Sequence, residues 1–183
     1  ITGILNSYYS SVGNKINFPI GVINNLALSY VAFKNNNYGL VIFNLLFFMP
    51  INIKGYFEWN KNSNKDVVEN RGLGLKKGAI TIILSIVTGL LVSYLLQLIP
   101  GERLKYLDSF TNVISFIAGI LLMLRYNESW ILYLVNNVLD LTLWIINFSS
   151  GGFDSLMVLL MSVMYLVINI YALFKWRDKN ERL

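Results

Sequence analysis

The sequence has no cysteine and no histidine among its 183 residues. Their absence removes disulfides, thiol nucleophiles, imidazole bases and the commonest ligands of transition metals. We therefore expect no metal site, no cofactor and no enzymatic activity. Charged residues are also scarce, at 14% of the chain against roughly 25% in soluble domains. This composition effectively excludes a water-soluble protein.

Apolar residues make up 55% of the chain, and its mean hydropathy is +0.55. They form long runs, and a helix needs about 20 such residues to cross roughly 30 Å of hydrocarbon. Backbone amides in lipid must be hydrogen-bonded within their own segment, so the runs predict an all-α integral membrane protein. The predicted segments are residues 1–12, 19–33, 38–56, 78–99, 107–124, 130–148 and 153–174. The first is too short to span a bilayer alone, and we interpret it as the end of a truncated helix.

The longest polar connection, residues 59–77, divides the chain into two halves and is typical of a solvated linker. With seven crossings, this linker lies on the same side of the membrane as the C-terminal tail, residues 177–183. Of the 15 Lys and Arg residues, only Lys34, Arg103 and Lys105 fall on the other side. The positive-inside rule then predicts a multi-pass bacterial inner-membrane protein with a cytoplasmic linker and tail and an outer N-terminus. The scattered basic residues do not indicate nucleic-acid binding.

Two short motifs occur in the same order in both halves. Asn24-Asn25, between apolar residues, matches Asn136-Asn137. Further on, the pattern Ile-Asn-Ile followed by Phe and Trp occurs at 51–59 and again, with the same spacing, at 168–176. Matches that keep their order and their helices indicate an internal repeat, although Asn, Ile and Leu are abundant enough for chance similarity.

We interpret the repeat as two parallel three-helix units, residues 1–58 and 107–176, joined by a connecting helix, residues 78–99. Because one helix separates the units, both keep the same orientation in the membrane. Such a 3+1+3 transmembrane bundle has the architecture of SWEET-type carriers, which place the solute path at the repeat interface. The sequence therefore favours a transporter.

Polar side chains within the predicted segments are mostly amides and aromatic rings. Such groups are costly in lipid, so we expect them to face a cavity or one another. Trp130, Tyr133 and Asn137 have the spacing i, i+3, i+7 and share one helix face. Amides bind polar groups, and aromatic rings stack on flat or cationic heterocycles. The same residues could equally form an interfacial aromatic belt and interhelical hydrogen bonds.

The candidate substrate-binding residues are Trp130, Tyr133, Asn137, Asn52, Asn169, Asn44, Asn136 and Asp140. We expect Asp140 to face the bundle, where it could attract a cation or couple a proton, or else make a structural hydrogen bond to a neighbouring helix. Pro50 predicts a kink beside Asn52. Trp59 and Trp176 are expected to be interfacial anchors because they stand at segment ends.

Several motifs resemble the PnuC family of nicotinamide riboside transporters, and the resemblance covers essentially the whole chain. They are Asn17-Phe-Pro-Ile-Gly21, the run from Tyr38-Gly39 to Asn44, Gly55-Tyr-Phe-Glu-Trp59, Leu107-Asp-Ser109, and Leu124-Arg-Tyr-Asn-Glu-Ser-Trp130 followed by Tyr133 and Asn137. The most specific family pattern is Trp, two residues, Trp, three residues, Asn, which reads here as Trp130, Tyr133 and Asn137. Tyr133 thus replaces a Trp, and Asn52 stands where many members carry Gln.

The resemblance implies facilitated diffusion of nicotinamide riboside, trapping by a cytoplasmic riboside kinase, and a homo-oligomer as the assembly to test. It also implies a ligand site in the centre of the bundle. There Trp130 and Tyr133 would stack on the ring, and Asn137, Asn169 and Asn52 would bond polar groups. The same fold with thiamine or another nucleoside-like vitamin as solute is the nearest alternative. A membrane-embedded enzyme or a scaffold subunit is a second alternative, from a different functional class.

Overall fold

The computed structural model describes residues 1–34, 41, 43–64, 67–96, 105–149 and 156–180. Within these ranges the fold is a bundle of seven helices, with a short hairpin in the linker. The helices are α1 (Thr2–Ser11), α2 (Asn17–Lys34), α3 (Met49–Lys61), α4 (Leu75–Leu96), α5 (Lys105–Met123), α6 (Ser129–Ser149) and α7 (Leu156–Asn180). Each helix falls on one of the seven predicted apolar segments, which confirms the all-helical fold class.

The helix bounds differ from the apolar segments mainly at polar ends. The third predicted segment stops at residue 56, yet α3 continues to Lys61, and α7 extends to Asn180. Residues such as Glu and Lys are good helix formers. The helices therefore continue into polar residues that lie beyond the apolar segments. Parts of the predicted segments, namely residues 38–40, 42, 97–99 and 153–155, lie outside the described residues.

A π-helical turn, Asn44–Phe48, leads directly into α3. Its geometry appears in the hydrogen bond from the Met49 amide to the Asn44 carbonyl, five residues back. Pro50 has no amide proton to continue an ordinary helical ladder. A π turn therefore lies on the N-terminal side of Pro50, where an ordinary helical ladder would be interrupted. The kink predicted beside Asn52 stays a prediction.

The linker is partly packed, whereas the sequence predicted a solvated segment. It forms a minimal antiparallel hairpin, β1 (Ser63–Asn64) and β2 (Val67–Val68). Val68, Asn70 and Leu73 are buried. We call residues 67–74 the strap. The prediction of a solvated segment is wrong for these three residues, because contacts with distant helices, rather than linker composition, determine their burial.

The strap hydrogen-bonds the loops that follow α1 and α5. The Val68 amide donates to the Gly13 carbonyl at 2.9 Å, and the Arg71 amide donates to the Arg125 carbonyl at 3.0 Å. Gly13 and Arg125 occupy corresponding positions in the two loops, and both have a left-handed backbone, with φ of 77° and 68°. The two halves therefore share a loop conformation, although the residue at the left-handed position is Gly in one half and Arg in the other.

Four aromatic side chains pack together where the strap, α3 and α7 meet. This tryptophan cluster consists of Phe18, Trp59, Trp130 and Trp176, all at most 3% exposed. Neighbouring ring centroids are 4.8–5.7 Å apart. The Trp59 indole donates to the Leu122 carbonyl and the Trp176 indole to the Ser11 carbonyl, each at 3.0 Å. The prediction that Trp59 and Trp176 are interfacial anchors is therefore wrong: both are buried cross-links between the halves.

Three stretches of the described helices are long and apolar enough to cross a membrane: Leu75–Tyr94, Ser129–Ile146 and Leu156–Trp176. Large apolar residues on α4 are strongly exposed, for example Ile83 at 61% and Leu91 at 57%. A water-facing helix with such a surface would be unfavourable, whereas a bilayer solvates it. The surface of the bundle thus supports a membrane protein.

Candidate functional site

A cavity of about 400 Å³ lies between α1, α5, α6 and α7, with one contribution from α2. Its size falls within the roughly 300–1,000 Å³ of small-molecule sites. Most of the lining residues are polar or aromatic. They are Gly3, Asn6, Ser7, Ser10, Asn24, Thr111, Asn112, Ser115, Leu122, Trp130, Tyr133, Asn136, Asn137, Asp140, Leu143, Trp144, Tyr165 and Asn169.

Helix α6 supplies the largest share of the lining. Trp130, Tyr133 and Asn137 all contribute, because their spacing places them on one face of the helix. The Trp130 and Tyr133 ring centroids are 5.7 Å apart, with the ring planes inclined by 48°. Trp130 also belongs to the tryptophan cluster, which therefore forms one end of the cavity.

Amide side chains in the cavity wall also connect the helices. The Asn169 amide on α7 donates to the Asn137 oxygen on α6, and both side chains are at most 5% exposed. Asn136 donates to the Ser115 hydroxyl on α5 at 3.1 Å. The two uses that the sequence left open, lining a site and joining helices, are therefore combined in the same residues.

Two atoms of these wall residues have unused hydrogen-bonding capacity. The Trp130 Nε1 donor and the Asn136 Oδ1 acceptor are buried and have no hydrogen-bond partner among the described residues. The large majority of buried side-chain polar atoms in proteins are hydrogen-bonded. Atoms of Asn17, Asn25 and Glu128, away from the cavity, are similar exceptions, so such atoms do not by themselves mark a solute site.

Asp140 lies on the same wall, one turn beyond Asn136 and Asn137. Its Oδ2 accepts a hydrogen bond from the Ser162 hydroxyl on α7 at 2.9 Å. The Trp144 side chain, one turn further along α6, lines the same cavity. Asp140 thus makes an interhelical hydrogen bond and lines the cavity as well.

The structure brings six of the eight predicted residues into the cavity lining and leaves Asn44 and Asn52 outside it. The Asn52 amide donates to the Phe48 carbonyl at 3.0 Å. Its oxygen lies against Gly21 of α2, only 2.3 Å from where a Cβ on that glycine would stand. Asn44 is buried in the π-helical turn, at 3% exposed. Both residues belong to the region where α3 packs on α2.

Several lining residues were not among the predicted ones. On α1, Gly3, Asn6, Ser7 and Ser10 have the spacing i, i+3, i+4, i+7, which is a polar helix face. The same kind of spacing relates Thr111 and Ser115 on α5. This periodicity of small polar residues was readable in the sequence. The position of Tyr165 against Gly3 was not, because it depends on the packing of α7 against α1.

The chain is similar in sequence and in fold to known transporters. The family described as nicotinamide mononucleotide transporter matches residues 1–178. The nicotinamide riboside transporter PnuC of Neisseria mucosa is 32% identical, over 100% of this chain and 71% of its own length. The protein of the same name from Haemophilus influenzae is 31% identical, over 100% of this chain and 78% of its own. A crystal structure of the vitamin B3 transporter PnuC superposes with a TM-score of 0.81 and 30% identity, over 100% of this chain and 80% of that one.

Proposed function

Because the chain belongs to the nicotinamide mononucleotide transporter family, a family of membrane carriers and not of enzymes, we propose that it transports nicotinamide riboside across the bacterial inner membrane. The observation that carries the proposal is the cavity of about 400 Å³, which is lined by rings and amides in a bundle with a membrane-compatible surface. Relatives that cover the whole chain are named as carriers of this riboside.

The chemistry of the wall suits each part of the riboside. Trp130 and Tyr133 offer ring faces to the pyridinium, with a cation–π contribution. Asn137 and Asn169 offer amide groups to the carboxamide and the ribose hydroxyls. Asn44 and Asn52 support the packing of α3 in this proposal and do not contact the solute.

The proposed architecture is the 3+1+3 bundle, with α1–α3 and α5–α7 as parallel repeats and α4 as the connecting helix. It is supported by the matching loop conformations at Gly13 and Arg125. It is also supported by the reciprocal tryptophan bonds, in which Trp59 reaches the end of α5 and Trp176 reaches the end of α1. The cavity then lies between the repeats, where carriers of this type bind their solutes.

The proposed mode of transport is facilitated diffusion, followed by trapping through phosphorylation by a cytoplasmic riboside kinase. The site contains groups suited to binding the solute. A carrier that binds its solute equally well from both sides of the membrane lets the solute move down its concentration gradient. Phosphorylation adds close to two negative charges at neutral pH. The product is then a different solute, so net uptake continues.

Uptake of labelled nicotinamide riboside by proteoliposomes that contain only this protein tests the proposal. We expect uptake to reach equal concentrations inside and outside without an energy source, and a higher plateau when the kinase and ATP are enclosed. Trp130→Ala and Asn137→Ala should reduce uptake at least tenfold. Asn60→Ala, an exposed amide at the end of α3, is the matched control and should behave as the unmodified protein.

Two results would count against the proposal. Uptake that unlabelled thiamine blocks and unlabelled riboside does not would keep the carrier and replace its solute. Absence of flux with either solute, in protein that remains folded by thermal unfolding, would reject transport of both vitamins.

A further inference from the structure

The carboxyl group of Asp140 lies at a distance from the rings of the proposed site. Helix α6 runs from Trp130, a member of the tryptophan cluster, through Tyr133 and Asn137 to Asp140 and Trp144. At about 1.5 Å per residue, Asp140 is roughly 15 Å along the helix axis from Trp130. The acid therefore lies toward the end of the cavity that faces away from the strap.

A hydrogen bond from a neighbouring helix holds this carboxyl group. The Ser162 hydroxyl on α7 donates to its Oδ2 at 2.9 Å. This donor carries no charge that would neutralise a carboxylate. The described residues of the cavity lining include no lysine and no arginine. Asp140 is therefore the charged group in the described part of the wall.

The repeat comparison separates Asp140 from the general architecture. Asn136 and Asn137 correspond to Asn24 and Asn25 in the first half, so the amides follow the repeat. Asp140 corresponds to Leu28, which is 43% exposed on α2. An acid that appears in only one of the two halves is not needed to build a three-helix unit.

Nicotinamide riboside and nicotinamide mononucleotide, the solutes in the names of the family and of its members, differ in charge. Nicotinamide riboside carries one positive charge on its pyridinium ring. The mononucleotide adds a phosphate with nearly two negative charges. Phosphate recognition normally uses arginine, lysine or helix N-termini. The described part of the cavity wall has a carboxylate and no lysine or arginine. Such a wall attracts the cationic riboside and repels the anionic mononucleotide.

We propose that Asp140 is a specificity-determining residue that selects solutes by charge, favouring cationic nucleosides and rejecting phosphorylated ones. This inference rests on the proposed function and assigns the charge selection within the same cavity. Ser162 acts as a positioning residue that holds the carboxylate in the cavity wall. The rings and amides near Trp130 recognise shape, and Asp140 recognises charge.

Binding of three ligands to the purified full-length protein and to Asp140→Asn tests this assignment. The ligands are nicotinamide riboside, its reduced form with an uncharged dihydropyridine ring, and the mononucleotide. We expect the Asn variant to bind the cationic riboside about tenfold more weakly, since a charge attraction is lost. Binding of the uncharged form should change less than twofold, which also shows that the variant is folded. The preference for riboside over mononucleotide should shrink.

Glu69→Gln removes a carboxylate from the exposed part of the strap and is the matched control, with no expected change for any ligand. Equal weakening of the cationic and uncharged ligands by Asp140→Asn would overturn the assignment, because a packing role predicts that result. Unchanged binding of all three ligands would overturn it as well. Failure of the unmodified protein to bind riboside would instead reject the proposed function itself, so the two failures are distinguishable.

Discussion

Gly55 on α3 lies directly against the ring of Phe18 on α2. A Cβ built on Gly55 would be 2.1 Å from Cε1 of that ring, which no real contact allows. The ring cannot simply move away, because it packs edge-on against Trp59 with centroids 4.8 Å apart. The close approach of α3 to α2 therefore depends on the missing side chain. Glycine at this position also lets the tryptophan cluster assemble.

Gly55→Ala should lower the free energy of unfolding by about 1–3 kcal/mol, the usual cost of overpacking a core. Thermal unfolding of the detergent-solubilised protein would measure this loss. Gly78→Ala is the control, since a Cβ on Gly78 in α4 meets nothing within 4 Å. There the better helix propensity of Ala should leave stability unchanged or raised. An equal effect of both substitutions would contradict the packing argument.

At the level of residues, the sequence predicted side chains that lie on one helix face better than side chains that packing brings together. Trp130, Tyr133, Asn136, Asn137 and Asp140 share α6, and helical spacing alone places them on one wall. Asn52 and Asn169 match in the repeat, yet only Asn169 lines the cavity. The repeat predicts corresponding positions, and the different neighbours in each half decide which of them face the solute.

At the level of elements, the strap is the part of the chain whose structure the sequence predicted least well. Hydropathy located the helices because a bilayer imposes a simple length and composition on them. The strap has no such signature, since Asn, Gly and charged residues are also typical of exposed loops. Its order comes from distant partners: Asn70 donates to the Trp176 carbonyl at 2.8 Å, and Glu128 accepts from the Leu73 amide at 2.9 Å.

Arg125 stabilises the strap and α3 at once. Its Nε lies 3.2 Å from Oε1 of Glu58, and its Nη1 donates to the Glu69 carbonyl at 3.0 Å. Arg125→Ala should weaken the attachment of the strap by about 1 kcal/mol, allowing for partial solvent screening. A loss of that size raises the population of the locally open state about fivefold, and amide exchange through it by the same factor.

Hydrogen–deuterium exchange of the peptides that contain Arg71 and Asn127 measures this opening, because the amides of both residues bond across the strap. Lys61→Ala, which removes an exposed charge at the end of α3, should leave exchange unchanged. Exchange in Arg125→Ala that matched the unmodified protein would show that the backbone bonds hold the strap without the ion pair. The substitution keeps a Cβ at position 125, so its left-handed backbone is not relieved.

At the scale of the whole molecule, contacts place the basic residues of two loops, Lys15 and Arg125, at one end of the bundle. Lys15 bonds the Asn60 side chain at 2.8 Å, and Arg125 pairs with Glu58. The loops after α1 and α5, the end of α3 and the strap therefore meet there, together with Trp176 of α7. These two basic residues, which the sequence assigned to one membrane side, therefore belong to one end of the fold. The positive-inside rule predicts that this end is cytoplasmic.

Single cysteines test this orientation cleanly because the natural chain contains none. Lys61→Cys at the end of α3 and Lys34→Cys at the end of α2 both replace exposed residues. In intact spheroplasts, a membrane-impermeant maleimide should label Cys at position 34 and not at 61, because the chain is predicted to cross the membrane once between these two positions. Permeabilised membranes should allow labelling at both. Labelling of position 61 alone in intact spheroplasts would reverse the orientation. Labelling of both positions from one side would show that the third segment does not cross the membrane. It would contradict the three crossings per repeat on which the parallel arrangement depends.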